Sequence, residues 1–105
     1  MLRIYPIAIS IVADAGNAAV AIAKFDRDLA RQLRRAAASV PLNIAEGAGV
    51  SGGNRRQRYQ TALGSAYEVR ACLDVAAALG YIGAVSESTR DRLGHVMAVL
   101  TKIAT

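Results

Sequence analysis

Tryptophan is absent from this 105-residue chain, and aromatic residues make up only 5% of it. The core must therefore be assembled from Ala, Leu, Ile and Val. Alanine-rich cores let helices approach closely but bury little area per residue, so a single copy should be modestly stable and association is a natural remedy. The one cysteine, Cys72, excludes an intrachain disulfide and any multi-cysteine zinc site. Lying on an apolar helical pattern, it reads as a small buried hydrophobe. The one histidine, His95, has no second His or Cys with which to share a metal and reads as a solvent-facing or hydrogen-bonded side chain. No Gly-Lys-Ser/Thr follows the glycines of residues 47–53, which argues against a phosphate-binding loop. The Glu-x-x-His pairs of di-iron bundles are also missing. Neither a metal nor another cofactor is expected.

What is present is apolar and basic. Hydrophobic residues are 53% of the chain, too many for disorder, and the length suits one small domain. The net charge of +5 is concentrated: between Lys24 and Arg58 eight bases stand against three acids, and the rest of the chain balances. The positive field should belong to one face or end of the fold, which favours a polyanionic partner; a solvated face that keeps the protein soluble is the plainer alternative.

Hydrophobic periodicity predicts four helices. Residues 4–23 are nearly all apolar, broken by Ser10, Asp14 and Asn17. A secretory signal with Ala13-Asp14-Ala15 as its cleavage site and a membrane span are competing readings. Asp14 at a bilayer centre would be costly, whereas a bundle helix accepts it at its edge, so a first bundle helix is the expectation. Asp26 or Asp28 caps a second helix reaching about Ala48, with a kink near Val40 from the internal Pro41 and Ser39 helping the freed carbonyl. Gly47, Gly49, Gly52 and Gly53 read as helix stop and chain reversal. A third helix is expected from Asn54 to Leu79, with Tyr59, Ala62, Leu63, Ala66, Val69, Leu73, Ala76 and Ala77 as its apolar stripe. A fourth runs from a Ser86 cap to about Ile103. Short loops joining four helices argue for an all-α, up-down-up-down antiparallel four-helix bundle over residues 1–105.

Two groups of polar residues stand out. Ser39, Asn43 and Glu46 follow i, i+4, i+7 spacing beside the apolar stripe of Leu29, Leu33, Ala36, Val40 and Ile44. Such a row suits a seam oriented by hydrogen bonds. Arg27, Arg31 and Arg34 form a second row on the outer face, next to Arg35, while Arg55, Arg56 and Arg58 open the third helix. Together these seven arginines suit a non-specific, salt-dependent grip on phosphates. Arginines at a helix start oppose its dipole, which points to another pressure keeping them there. Glu46 and Glu68, on adjacent helices, are the one carboxylate pair that would come close enough for acid–base work, but both have structural partners within reach and no catalytic constellation is assigned.

Gln32-Leu33-Arg34-Arg35-Ala36, Ser39-Val40-Pro41-x-Asn43-Ile44-Ala45-Glu46-Gly47, Tyr59, Ala62-Leu63-Gly64-Ser65, Glu68 and Leu79-Gly80-Tyr81 carry a resemblance. Over residues 25–82 the chain resembles the four-helix-bundle proteins encoded in intervening sequences of bacterial 23S ribosomal RNA genes. It is similar also to the accessory variability determinant of diversity-generating retroelements. The resemblance implies a ring-like homopentamer with a basic surface, which in the retroelement relative serves nucleic acid, RNA or DNA, and a reverse transcriptase. It implies that Ser39, Asn43, Glu46, Ser65 and Glu68 are structural polar contacts at helix or subunit seams. Arg34 and Arg35 belong to the shared motif; Arg55, Arg56 and Arg58 do not. A cytoplasmic, non-enzymatic, oligomeric RNA-binding module without membrane contact is the expectation, and a protein-interaction scaffold is the alternative.

Overall fold

The computed structural model describes residues 2–105. Four helices, α1 (Ile4–Ile22), α2 (Arg27–Ala48), α3 (Gly52–Ala78) and α4 (Glu87–Ile103), pack as an up-down-up-down antiparallel bundle measuring 42 × 24 × 19 Å. Each helix packs on its sequence neighbours and α4 closes against α1; the α2–α3 interface is the most extensive, and the α1–α3 diagonal barely touches. No strand occurs among the described residues.

The core is built as the composition requires. Ile4, Ala8, Ile11, Ala15, Ala19 and Ile22 recur every three or four residues and turn one face of α1 inward. They meet Leu33, Val40 and Ile44 of α2, Ala62, Ala66 and Val69 of α3, and Leu93, Val96 and Leu100 of α4 in one continuous cluster. Alanines at so many buried positions bring the helix axes close. The remaining face of α1 carries exposed Ile9 and Val20. By length and composition α1 would also suit a membrane span; here its inward face completes the bundle core.

The helix ends follow local chemistry. The Asp26 carboxylate accepts from the Leu29 amide at 2.9 Å, and the Ser86 hydroxyl from the Thr89 amide at 3.2 Å. At the end of α3 the Tyr81 amide reaches the Ala76 carbonyl and the Gly80 amide the Ala77 carbonyl, the paired closure of a Schellman motif. Gly80, with φ of +75°, makes the turn. At that end of the bundle Phe25, from the α1–α2 connection, stacks on Tyr81, the ring centroids 5.1 Å apart and the planes within 4°.

Three expectations need correction. α3 starts at Gly52 rather than Asn54: Ser51 takes the extended cap conformation, and Gly52, with φ of +62°, turns the chain into the helix two residues earlier. α2 is helical through Pro41, whose ring is buried on the inward face, and ends at Ala48 as expected. Ser39 is not turned to the carbonyl that Pro41 frees; its hydroxyl accepts from Asn43 and Ser65 instead. Leu29 is only half-buried, and Ala30 takes the inward position.

Candidate functional site

The polar row of α2 faces α3. The Asn43 side-chain amide donates to the Ser39 carbonyl at 2.9 Å and to the Ser39 hydroxyl at 3.0 Å. The Ser65 hydroxyl donates to Ser39 Oγ at 2.7 Å, which ties α3 to α2 through one bridging hydroxyl. One end of the seam is held by Arg58 and Glu46, 2.9 Å apart, and the other by Gln32, whose amide donates to Glu68 at 3.2 Å. Ser39, Asn43 and Ser65 are half-buried, so these neutral bonds are partly shielded from water, each worth about 1 kcal/mol net.

Glu46 and Glu68 are not brought together. Glu68 lies opposite Gln32 and Glu46 opposite Arg58. The fourteen residues from Gln32 to Glu46 correspond to about 21 Å of helix. No pair of carboxylates able to share a proton forms there, and no group of three or more metal-ligating side chains occurs among the described residues.

The seven arginines divide in two. Antiparallel packing sets the first turns of α3 beside the last turn of α2, so Arg55, Arg56 and Arg58 sit far from Arg27, Arg31, Arg34 and Arg35. From Arg35 to the end of α2 at Ala48 lie thirteen residues without a base, about 20 Å of helix. The charge is therefore two exposed groups rather than one patch. Two members of the α3 group have intramolecular duties. Arg55 Nε donates to the carbonyls of Gly47 at 3.1 Å and Val50 at 2.8 Å, and Arg58 pairs with Glu46. The dipole conflict at the start of α3 is thus answered by the negative end of α2, which Arg55 covers. In the α2 group, Arg31 makes a loose 3.7 Å pair with Asp28, both side chains largely exposed. Arg27, Arg34, Arg35 and Arg56 are exposed and form no ion pair among the described residues.

Arg31, Gln32, Arg35, Ser39, Ser65 and Glu68 line an open groove of about 640 Å³ between α2 and α3. It carries both signs of charge, so the arginine row borders it rather than fills it.

A second polar cluster escaped the sequence reading. Arg92 of α4 lies between α1 and α4 and donates to Ser10 Oγ at 2.6 Å, to the Asp14 carboxylate and to the Ser88 carbonyl at 3.1 Å. Buried Thr89 donates to the same Asp14 oxygen at 2.8 Å. Asp14, the lone acid inside an apolar helix, was the available signal: an acid at a core edge calls for a cation on a neighbouring helix. Cys72 is buried as expected, and its thiol is pushed above the ordinary range by burial and then by the Glu68 charge. His95 is exposed.

A bundle of four short helices, welded along α2–α3 by Ser39, Asn43 and Ser65 and edged with arginine, defines a class of small all-helical proteins. The model of the 23S rRNA-intervening sequence protein family matches residues 2–102, and the chain belongs to that family. A crystal structure of a protein of unknown function from the S23 ribosomal protein family of Bacteroides thetaiotaomicron superposes with a TM-score of 0.83 at 17% identity, covering 97% of this chain and 98% of the other. That likeness shows the shared fold. No curated protein matches.

Proposed function

We propose that this protein is a non-enzymatic, oligomeric helical module that binds RNA, alone or within a nucleic-acid–protein complex, through the arginines of α2 and Arg56 of α3. One contrast carries the reading. The arginines with a structural task, Arg55, Arg58 and Arg92, each hold a carbonyl or carboxylate partner, whereas Arg27, Arg34, Arg35 and Arg56 stand exposed without an ion pair. Unneutralised guanidinium groups are what phosphate contacts require, and they position a nucleic acid without reading its sequence. In this reading the module assembles as a pentamer and takes a reverse transcriptase as a protein partner, as the resemblance implies.

The test replaces Arg27, Arg34, Arg35 and Arg56 with Gln and measures native mass and RNA binding at several salt concentrations. The expected result is an intact helical fold that has lost RNA binding, against a wild type whose affinity falls steeply as salt rises. Unchanged RNA binding by the variant refutes the reading.

A scaffold role, with the arginines only solvating the surface, is the second reading. Ile9 at 45% exposed, Val20 at 59% and Leu42 at 61% favour it, because these large apolar side chains lie outside the core. An assembly that ignores RNA at every salt concentration would select it.

A further inference from the structure

We propose that the outward face of Phe25 is a stacking platform for an unpaired base of a single-stranded nucleic acid. The proposal rests on the nucleic-acid reading above and assigns it a second kind of contact. Phe25 is the one phenylalanine of a chain with five aromatic residues, and it is 63% exposed. Its other face is occupied, since Tyr81 lies parallel beneath it with centroids 5.1 Å apart. The ring is held rather than loose. The Phe25 amide donates to the Ile22 carbonyl at 2.9 Å, the Asp26 amide to the same carbonyl at 2.8 Å, and half-buried Tyr81 is anchored through its own amide to Ala76. A ring fixed from below and open above presents a flat π surface with little entropy left to lose, which is the geometry on which a base stacks.

The charges around the ring suit a phosphate chain. Lys24 and Arg27 flank Phe25 and are exposed, and Arg31 and Arg34 continue the row along α2. Between Lys24 and Arg35 five bases stand against two acids. Asp26 caps the Leu29 amide and Asp28 makes only a loose pair with Arg31, so the stretch keeps a net charge of +3. A strand whose base rests on Phe25 therefore has exposed cations, within two residues of the ring in the chain, available for its backbone. A duplex hides its base faces and meets only the charges, so the platform separates single strands from duplexes. Stacking accepts any base, so no sequence preference is expected.

Because the chain has no tryptophan, Phe25→Trp installs a single fluorescent reporter at the ring. Oligouridylate, oligoadenylate, a paired RNA of equal phosphate count and heparin are titrated against wild type, Phe25→Trp and Phe25→Leu, with sedimentation of each protein alone. The expected result is quenching of the indole emission of Phe25→Trp by the single strands and not by heparin. Phe25→Leu should lose about tenfold or more in single-strand affinity, with duplex and heparin binding unchanged. Heparin and duplex binding together with unquenched emission and an unaffected Phe25→Leu would overturn the platform and leave the arginine reading standing. Failure of wild type to bind any of the four would overturn both. A change of assembly in Phe25→Leu without a change in RNA affinity would overturn the platform too, and give this face to a second copy of the chain.

Discussion

Gly47 of α2 lies against Tyr59 of α3 so closely that a Cβ at position 47 would sit 2.7 Å from Tyr59 Cδ1. Gly47 is buried inside the helix, and the ring is only 5% exposed, so neither can yield without repacking the interface. This glycine, expected to stop the helix, instead admits a ring across the α2–α3 interface. Gly47→Ala should lower stability by about 1–3 kcal/mol, read as the midpoint of urea unfolding. On a Tyr59→Leu background the same change should cost much less. An equal cost in both backgrounds would mean that the ring is not the obstacle.

The cluster around Arg92 joins the first helix to the last. Arg92→Met leaves Asp14 and Ser10 without their cation, and should cost about 1–2 kcal/mol because roughly a third of each partner stays in water. Arg90→Met removes a 3.4 Å pair with Asp74 in which both side chains are half exposed, and should cost less than about 0.5 kcal/mol. Thermal unfolding of the two variants should rank them in that order. Equal shifts would show that the Asp14 contact adds nothing beyond an ordinary surface pair.

Neighbouring arginines at the start of α3 should separate stability from binding. Arg55→Gln uncovers the Gly47 and Val50 carbonyls and should cost about 1 kcal/mol. Arg56→Gln should leave stability within about 0.5 kcal/mol. In RNA affinity the order should reverse, because Arg56 is the one without an internal partner. Paired unfolding and anisotropy measurements decide; a stability loss in Arg56→Gln as large as in Arg55→Gln would remove the distinction.

Burial, and after it the Glu68 charge, raises the Cys72 thiol above its ordinary pKa. An unfolded chain releases this proton at lower pH than the folded one. The group's contribution to stability is therefore complete below the ordinary thiol range and declines as pH rises through it toward the raised value. Wild type should lose more stability than Cys72→Ala between pH 8 and pH 10, and a thiol reagent at pH 8 should label Cys72 rapidly only after denaturation. Parallel pH profiles for the two proteins would exclude the thiol as the cause.

Much of the fold was legible because it is local. The recurrence of Tyr59, Ala62, Ala66, Val69, Leu73 and Ala76 and the Asp26 and Ser86 caps each act within about one helical turn, so chain order alone reveals them. The polar row was legible for the same reason: Ser39 and Asn43 are one turn apart and bond directly.

What composition and order determined, then, is the set of elements: four amphipathic helices, an alanine-rich core, an excess of arginine and no disulfide. Tertiary structure decided which residues meet. Antiparallel packing parted Glu46 from Glu68 and divided the arginines between the two ends of α2. It also gave Arg55 the Gly47 carbonyl of α2 and stacked Phe25 on Tyr81, fifty-six positions away. Contacts across such separations depend on the rotation and offset of whole helices, which many buried side chains set jointly. No single spacing along the chain records them.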